Sequence, residues 1–339
     1  MTTQVTAQPV GPPPPFDPEL APVVEMLSSL RPPDAYRPDT IVEMRKPVPG
    51  VQTPTDEILS RGGAYRVEER TVPGPAGEPD ISLLICLPKH AAAPAPAIYH
   101  IHGGGMIVGD NRFGLAEMVD LAEPMGLAVV SIEYRLAPET PHPGPVEDCY
   151  AGLVWLSAHA HELGIDPERI VIGGASAGGG LAAGVTLLAR DRTGPAVLAQ
   201  LLLSPMLDDR NDSPSARQMR GVGIWDRSSN ETGWNALLGD GVRGGPDVSP
   251  YASPSRAADL SGLPSTYVDV GSAETFRDED VAYASRMWQA GGRVELHVWP
   301  GGFHGFDVVV PDAVLSRDAI AARGAWLRRQ LGRVPPVKR

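Results

Sequence analysis

At 339 residues, 42% hydrophobic and 21% charged, the chain has the composition of a soluble globular protein and can bury a sizeable core. A formal net charge of −12 argues against nucleic acid or an anionic membrane surface as partner. No apolar run is long enough to span a bilayer. Met1-Thr2-Thr3-Gln4-Val5 has neither the basic nor the apolar region of a signal peptide, so a cytoplasmic protein is expected. In that compartment Cys86 and Cys149 are expected to be buried thiols rather than a bridge.

Residues 1–63 are rich in proline, including Pro12-Pro13-Pro14-Pro15, and the first fifteen are expected to be disordered or polyproline-like. Asp17 to Leu30 has a helical pattern, and Thr53 to Ser60 a weaker one. With no strand to pair with, these elements are expected to lie over the body of the domain. From Ala64 the pattern alternates. Tyr65 to Val72 and Ile81 to Leu87 read as a hairpin around a Pro/Gly-rich turn. Strands follow at Ala97–Ile101, Leu127–Glu133, Arg169–Ala175, Val197–Leu203, Thr266–Val270 and Val294–Trp299. Helical patterns intervene at Phe113–Met125, Val146–Leu163, Leu181–Arg190 and Glu279–Ala290, and a last one covers Ala313–Leu331. This predicts an α/β fold, a mostly parallel sheet with helices on both faces. The core is expected over 64–207 and 251–339. Residues 208–250, with Trp225, Trp234 and a short helical piece around Trp234–Leu238, interrupt the rhythm and read with the N-terminal helices as a small helical cap.

Chemistry concentrates at three places. Gly174-Ala175-Ser176-Ala177-Gly178 fits G-x-S-x-G and follows a β-branched run, as a serine raised on a strand-to-helix turn requires. Chance alone supplies roughly a quarter of such a match per chain, so the surrounding elements carry the argument. His102-Gly103-Gly104-Gly105 is far rarer. Glycines there let backbone N–H groups turn into a cleft and stabilise an oxyanion. Of the eight histidines, His304 alone sits in a glycine-rich loop after a late strand, where the order Ser, acid, His places the base. The acid is expected between Ser176 and His304, after the strand ending at Val270. Glu274 and Asp278 both qualify. Asp278 has an alternative role at a helix N-terminus, whereas Glu274 is otherwise unexplained. His100 and His102 share a strand face but lack an acidic companion, so no metal is expected.

His102-Gly103-Gly104-Gly105, the serine motif, Tyr134-Arg135-Leu136-Ala137-Pro138-Glu139 and Phe303-His304-Gly305-Phe306 together resemble the hormone-sensitive-lipase-like bacterial carboxylesterases of the α/β-hydrolase superfamily, over roughly residues 64–332. Asp148-Cys149-Tyr150 and Pro254-Ser255-Arg256-Ala257 make the chain particularly similar to actinobacterial acetylesterases of the heroin esterase type. The resemblance implies Ser176 as nucleophile, His304 as base, and Gly103, Gly104 and Ala177 as oxyanion donors, with His102 steadying the loop. The family's acid motif reads Asp-Pro-Leu-Arg-Asp. Glu274-Thr275-Phe276-Arg277-Asp278 aligns with it, which selects Glu274 with a longer side chain than usual.

The expected function is hydrolysis of short-chain acyl esters through an acyl-enzyme, without cofactor, on a small-molecule substrate. A homodimer is common in such folds. Rival readings are amidase, formamidase or lactonase chemistry on the same residues, a catalytically silent ligand-binding protein, and a structural protein. Acyl preference depends on how Met106, Trp225, Trp234 and their neighbours line the pocket, which the sequence does not place.

Overall fold

The computed structural model describes residues 10–30, 36–46, 53–91 and 94–332. Three short helices, α1 (Ala21–Leu30), α2 (Ile41–Met44) and α3 (Asp56–Leu59), precede the sheet. Eight strands follow: β1 (Tyr65–Val72), β2 (Ile81–Pro88), β3 (Ala95–Ile101), β4 (Ala128–Glu133), β5 (Ile165–Ala175), β6 (Ala199–Leu203), β7 (Ser265–Gly271) and β8 (Val294–Trp299). Between them run α4 (Leu115–Ala122), α5 (Gly144–His159), α6 (Ala177–Asp191), α7 (Pro214–Gln218), α8 (Arg227–Leu238) and α9 (Arg277–Gln289). The chain closes with α10 (Phe306–Val309) and α11 (Val314–Leu331).

The strands form one sheet in the order β1-β2-β4-β3-β5-β6-β7-β8. β1 and β2 are the expected hairpin, in register from Tyr65 opposite Pro88 to Val72 opposite Ile81. β2 also runs antiparallel to β4, and every pairing from β4 to β8 is parallel. β3 is buried along its whole length, the signature of a central parallel strand covered on both faces. One face packs against α5 and α6 through residues such as Tyr99, Ile172, Leu153 and Val185. The other packs against α4 and α11 through Ile98, Val171, Val119 and Trp326.

This topology places the site. The chain leaves β3 toward β4 on one side and returns as β5 on the other, so the loops after β3 and β5 diverge around a crevice at the carboxyl ends of the strands. One loop is the His102-Gly103-Gly104-Gly105 segment and the other is the turn at Ser176.

The expected N-terminal elements do pack on the body: Leu20 and Val24 bury against Phe303, Phe306 and Ala319. The expectation of disorder over the first fifteen residues lies partly outside the described residues. Its described part, 10–15, has no regular secondary structure yet is fastened. Gln218 Nε2 on α7 donates to Pro12 O at 2.9 Å, Asp17 N donates to Gly301 O at 3.0 Å, and Phe16 meets Phe303 edge-on at 6.4 Å. Cys86 and Cys149 are buried free thiols. Among the described residues no helix is long and apolar enough to cross a membrane.

Candidate active site

β5 ends at Ala175, α6 begins at Ala177, and Ser176 between them has φ 59 and ψ −125. That is a strained conformation for a residue with a Cβ, the kind that persists only where the surroundings impose it. Here the surroundings are backbone: Ser176 N donates to Leu203 O at 2.8 Å, and Ser176 O accepts from Met206 N at 2.9 Å and Gly180 N at 3.0 Å. A Cβ on Gly178 would lie 2.0 Å from Ile101 O and 2.5 Å from His102 O, so only glycine lets α6 start this close to the strand. The helix therefore begins directly after the serine, four residues earlier than the sequence pattern suggested.

His304 meets that serine, and Glu274 meets His304. His304 Nε2 is 3.0 Å from Ser176 Oγ, and His304 Nδ1 is 3.2 Å from Glu274 Oε1. Glu274 is 1% exposed, and its second oxygen, Oε2, accepts from Ser204 Oγ at 3.0 Å and from Gly271 N at 3.1 Å. Phe276 sets its ring edge-on to the imidazole at 5.2 Å. Asp278, the other candidate acid, is turned elsewhere. It accepts from Ser215 N at 2.7 Å and from Arg277 Nε at 2.7 Å, joining α9 to α7.

The glycine loop lies alongside. A Cβ on Gly103 would sit 3.5 Å from Ser176 Cβ, so this backbone passes directly beside the serine. Among the described residues, the amides of Gly103 and Gly104 have no protein acceptor. Ala177 N is the first amide of α6, where a helix leaves its donors unsatisfied. His102 is fully buried, its Nδ1 2.8 Å from Gly103 O and its ring stacked on Tyr134 at 4.1 Å. Tyr134 OH donates back to His102 O at 3.0 Å. Burial pushes His102 down to about 4 and His100, whose Nδ1 meets Ser131 Oγ at 3.0 Å, down to about 3. Both rings are neutral near pH 7. Among the described residues no group of three His, Cys, Asp or Glu side chains could hold a metal.

The sequence reading named Trp225, Met106 and Trp234 without placing them, and it missed Arg45 and Phe113. Trp225 presses its ring on the loop: a Cβ on Gly105 would fall 2.3 Å from its Cη2. Its carbonyl accepts from Thr275 Oγ1 at 2.7 Å, and its ring meets Tyr36 at 5.0 Å. One residue thus touches the glycine loop, the segment after Glu274 and the N-terminal region. Arg45 donates to Ile107 O at 2.7 Å and Ala137 O at 2.7 Å, binding the loop to the Tyr134–Glu139 segment. Met106 and Trp234 are completely buried, so they support the crevice rather than line it. Phe113 is 55% exposed, and its Cε1 lies 3.7 Å from the position a Gly103 Cβ would take. It offers an open apolar surface beside the serine, and only its place shortly after the glycine loop signals this in the sequence.

A family model described as the α/β-hydrolase fold matches residues 98–308. The chain belongs to that family, among the hormone-sensitive-lipase-like bacterial carboxylesterases. It is 35% identical over 306 residues to carboxylesterase NlhH of Mycobacterium tuberculosis, covering 87% of this chain and 92% of the relative. Among solved structures it is similar to a bacterial heroin esterase, with 40% identity and a TM-score of 0.82 over 94% of this chain and 98% of that one. Esterase LipW from Mycobacterium marinum has 30% identity and a TM-score of 0.80 over 95% and 99% of the two chains.

Proposed function

We propose that this carboxylic ester hydrolase cleaves short-chain acyl esters through Ser176, His304 and Glu274, with the amides of Gly103, Gly104 and Ala177 as oxyanion donors. The observation that carries the reading is the chain of contacts from Ser176 Oγ to His304 Nε2 at 3.0 Å and from Nδ1 to Glu274 at 3.2 Å. A carboxylate can only accept, so Glu274 keeps the imidazole proton on Nδ1 and leaves the Nε2 lone pair toward the serine.

In the acylation step Ser176 Oγ attacks the ester carbonyl carbon while its proton passes to His304 Nε2. The oxyanion forms against the three amides, each worth roughly 2.7–4 kcal/mol in the transition state. Collapse breaks the bond to the alcohol oxygen, which takes the proton from Nε2. Water then attacks the acyl-serine by the same route, giving its proton to His304, and the acid and free serine are restored. The strained backbone at Ser176 supports this role, since it holds Oγ out from the turn.

The same reading makes the described parts of residues 1–63, together with 208–250, a cap over a core formed by the described parts of 64–207 and 251–339. Thr232 Oγ1 on α8 donates to Tyr36 O at 2.8 Å, and Gln218 holds Pro12, so the two parts of that cap support each other. A homodimer is the working form we assign to it, resting on the family, and equilibrium sedimentation reads the oligomeric state.

The test is Ser176→Ala against p-nitrophenyl esters from acetate upward, with an organophosphate added to wild type. Loss of turnover with the fold retained, and one organophosphate per chain on Ser176, is expected. Full turnover in Ser176→Ala overturns the proposal.

A further inference from the structure

α11 buries Ser316, Ala319, Arg323, Trp326, Leu327 and Gln330, spaced as one face of an amphipathic helix. Arg323 therefore occupies a position where the pattern calls for an apolar residue, and it is 6% exposed. Its Nε donates to Asp269 Oδ2 at 2.7 Å and its Nη1 to Asp307. Asp269 Oδ2 also accepts from Trp299 Nε1 at 3.3 Å and from Tyr267 OH at 3.3 Å. Burial opposes the Arg323 charge, and the two carboxylates more than offset it. Desolvation pushes the Asp269 carboxyl up against the pull of Arg323. Buried ion clusters of this kind are a poor source of net stability, because apolar side chains of similar volume commonly do as well or better.

The places this cluster reaches give it a second use. Asp269 stands in β7, five residues before Glu274, and its carbonyl accepts from Ser204 N at 2.7 Å. Ser204 is the residue whose hydroxyl holds Glu274 Oε2. Trp299 ends β8, and the loop that follows carries His304. Asp307 lies in α10, three residues after His304. A single guanidinium thus reaches, through two carboxylates, the supports on both sides of the Glu274–His304 hydrogen bond.

We propose that Arg323 is a positioning residue for hydrolysis, its clamp on Asp269 and Asp307 fixing the turn that carries His304 against the loop that carries Glu274. The inference rests on the Ser176–His304–Glu274 reading of the site. The side chains against the His304 ring are Ser176 on the β5–α6 turn, Glu274 after β7 and Phe276 beside it, so Glu274 is the charged group among them.

The experiment compares Arg323→Met, Arg323→Lys and Asp307→Asn with wild type. Turnover is measured per organophosphate-titrated serine from about pH 5 to 9, with thermal melting in parallel. Arg323→Met is expected to lower kcat by about 10- to 100-fold with KM nearly unchanged, the scale of a small misplacement of catalytic groups. Its acid limb is expected to shift to lower pH, since an imidazolium less well aligned with Glu274 loses its proton more easily. Arg323→Lys is expected to recover part of kcat. Unchanged kcat per titrated site and an unmoved acid limb, with only melting lowered, overturn the proposal and leave a stabilising ion cluster. Should Arg323→Met not fold, Asp307→Asn, which keeps the side-chain shape, is read by the same two outcomes. Turnover surviving in Ser176→Ala would instead remove the underlying function, whatever the Arg323 variants do.

Discussion

Ser204 Oγ and Glu274 Oε2 are 3.0 Å apart, and Ser204 itself is held at φ 42 by the bond from its amide to Asp269 O. The Glu274 carboxylate is therefore held at one oxygen by neighbouring strand ends while the other faces His304. On the proposed reading, an acid one methylene longer than aspartate finds a hydroxyl for its far oxygen on the residue that follows β6. Glu274→Gln is expected to cut kcat by about three to four orders of magnitude, the scale seen when a triad carboxylate is neutralised and the wrong tautomer is favoured. Ser204→Ala is expected to cost about tenfold, since it removes one hydrogen bond to a buried acid. Steady-state rates per titrated serine decide both.

The neutral state of His100 and His102 has a consequence for stability. Their folded values of about 3 and about 4 lie below the ordinary histidine value, so in acid the unfolded chain takes up protons that the folded chain refuses. Stability from this source is complete above the unfolded pKa and is lost as pH falls below it toward the folded values. At about pH 5 each ring is expected to cost about 2 kcal/mol relative to neutral pH. Urea unfolding at several pH values checks this, and His100→Asn should reduce the slope by about one proton.

Gly105 and Trp225 form a coupled pair. Gly105→Ala places a methyl group 2.3 Å from the Trp225 ring at a backbone φ of 63, a conformation that disfavours side chains. Loss of stability and of kcat is expected. Trp225→Ala alone is expected to cost about 3–5 kcal/mol, as large aromatic truncations in packed sites do. In the double variant the clash is gone, so the two effects should fall short of their sum. A double-mutant cycle by chemical denaturation reads the coupling, and strict additivity would show that the contact does not set the cost.

Phe113 is the exposed aromatic beside the serine. Phe113→Ala is expected to lower kcat/KM for benzoyl or phenyl esters by up to about tenfold, the range of aromatic pair energies, while leaving methyl and ethyl acetates within about twofold. A uniform change across both sets would assign the ring a supporting role only.

The strands, the serine turn and the histidine loop were legible because each is written in a short local pattern: an apolar run, a cluster of glycines, one polar residue at the break. Local patterns also misplaced some boundaries. β5 starts at Ile165 rather than Arg169, and α8 starts at Arg227, seven residues before the Trp234–Leu238 piece that alone showed helical character, because Asp226 caps it by accepting from Ser229 N at 2.8 Å. α10 is a single turn too short to leave a periodic trace. The parts of the site that stayed hidden join distant positions. Trp225 meets Gly105, Arg45 meets Ile107 and Arg323 meets Asp269, and no spacing within either partner's segment announces such a pair. Arg323 comes nearest to a signal, as a charge on the apolar face of α11.

The segment from Val10 to Asp17 runs between Gln218 on α7 and Gly301 in the His304 loop, with Phe16 against Phe303, the residue before His304. That makes it a spectroscopic reporter built into the chain. A fluorine label on the Phe16 ring would sense rearrangement of the histidine loop during acylation without touching the reacting groups.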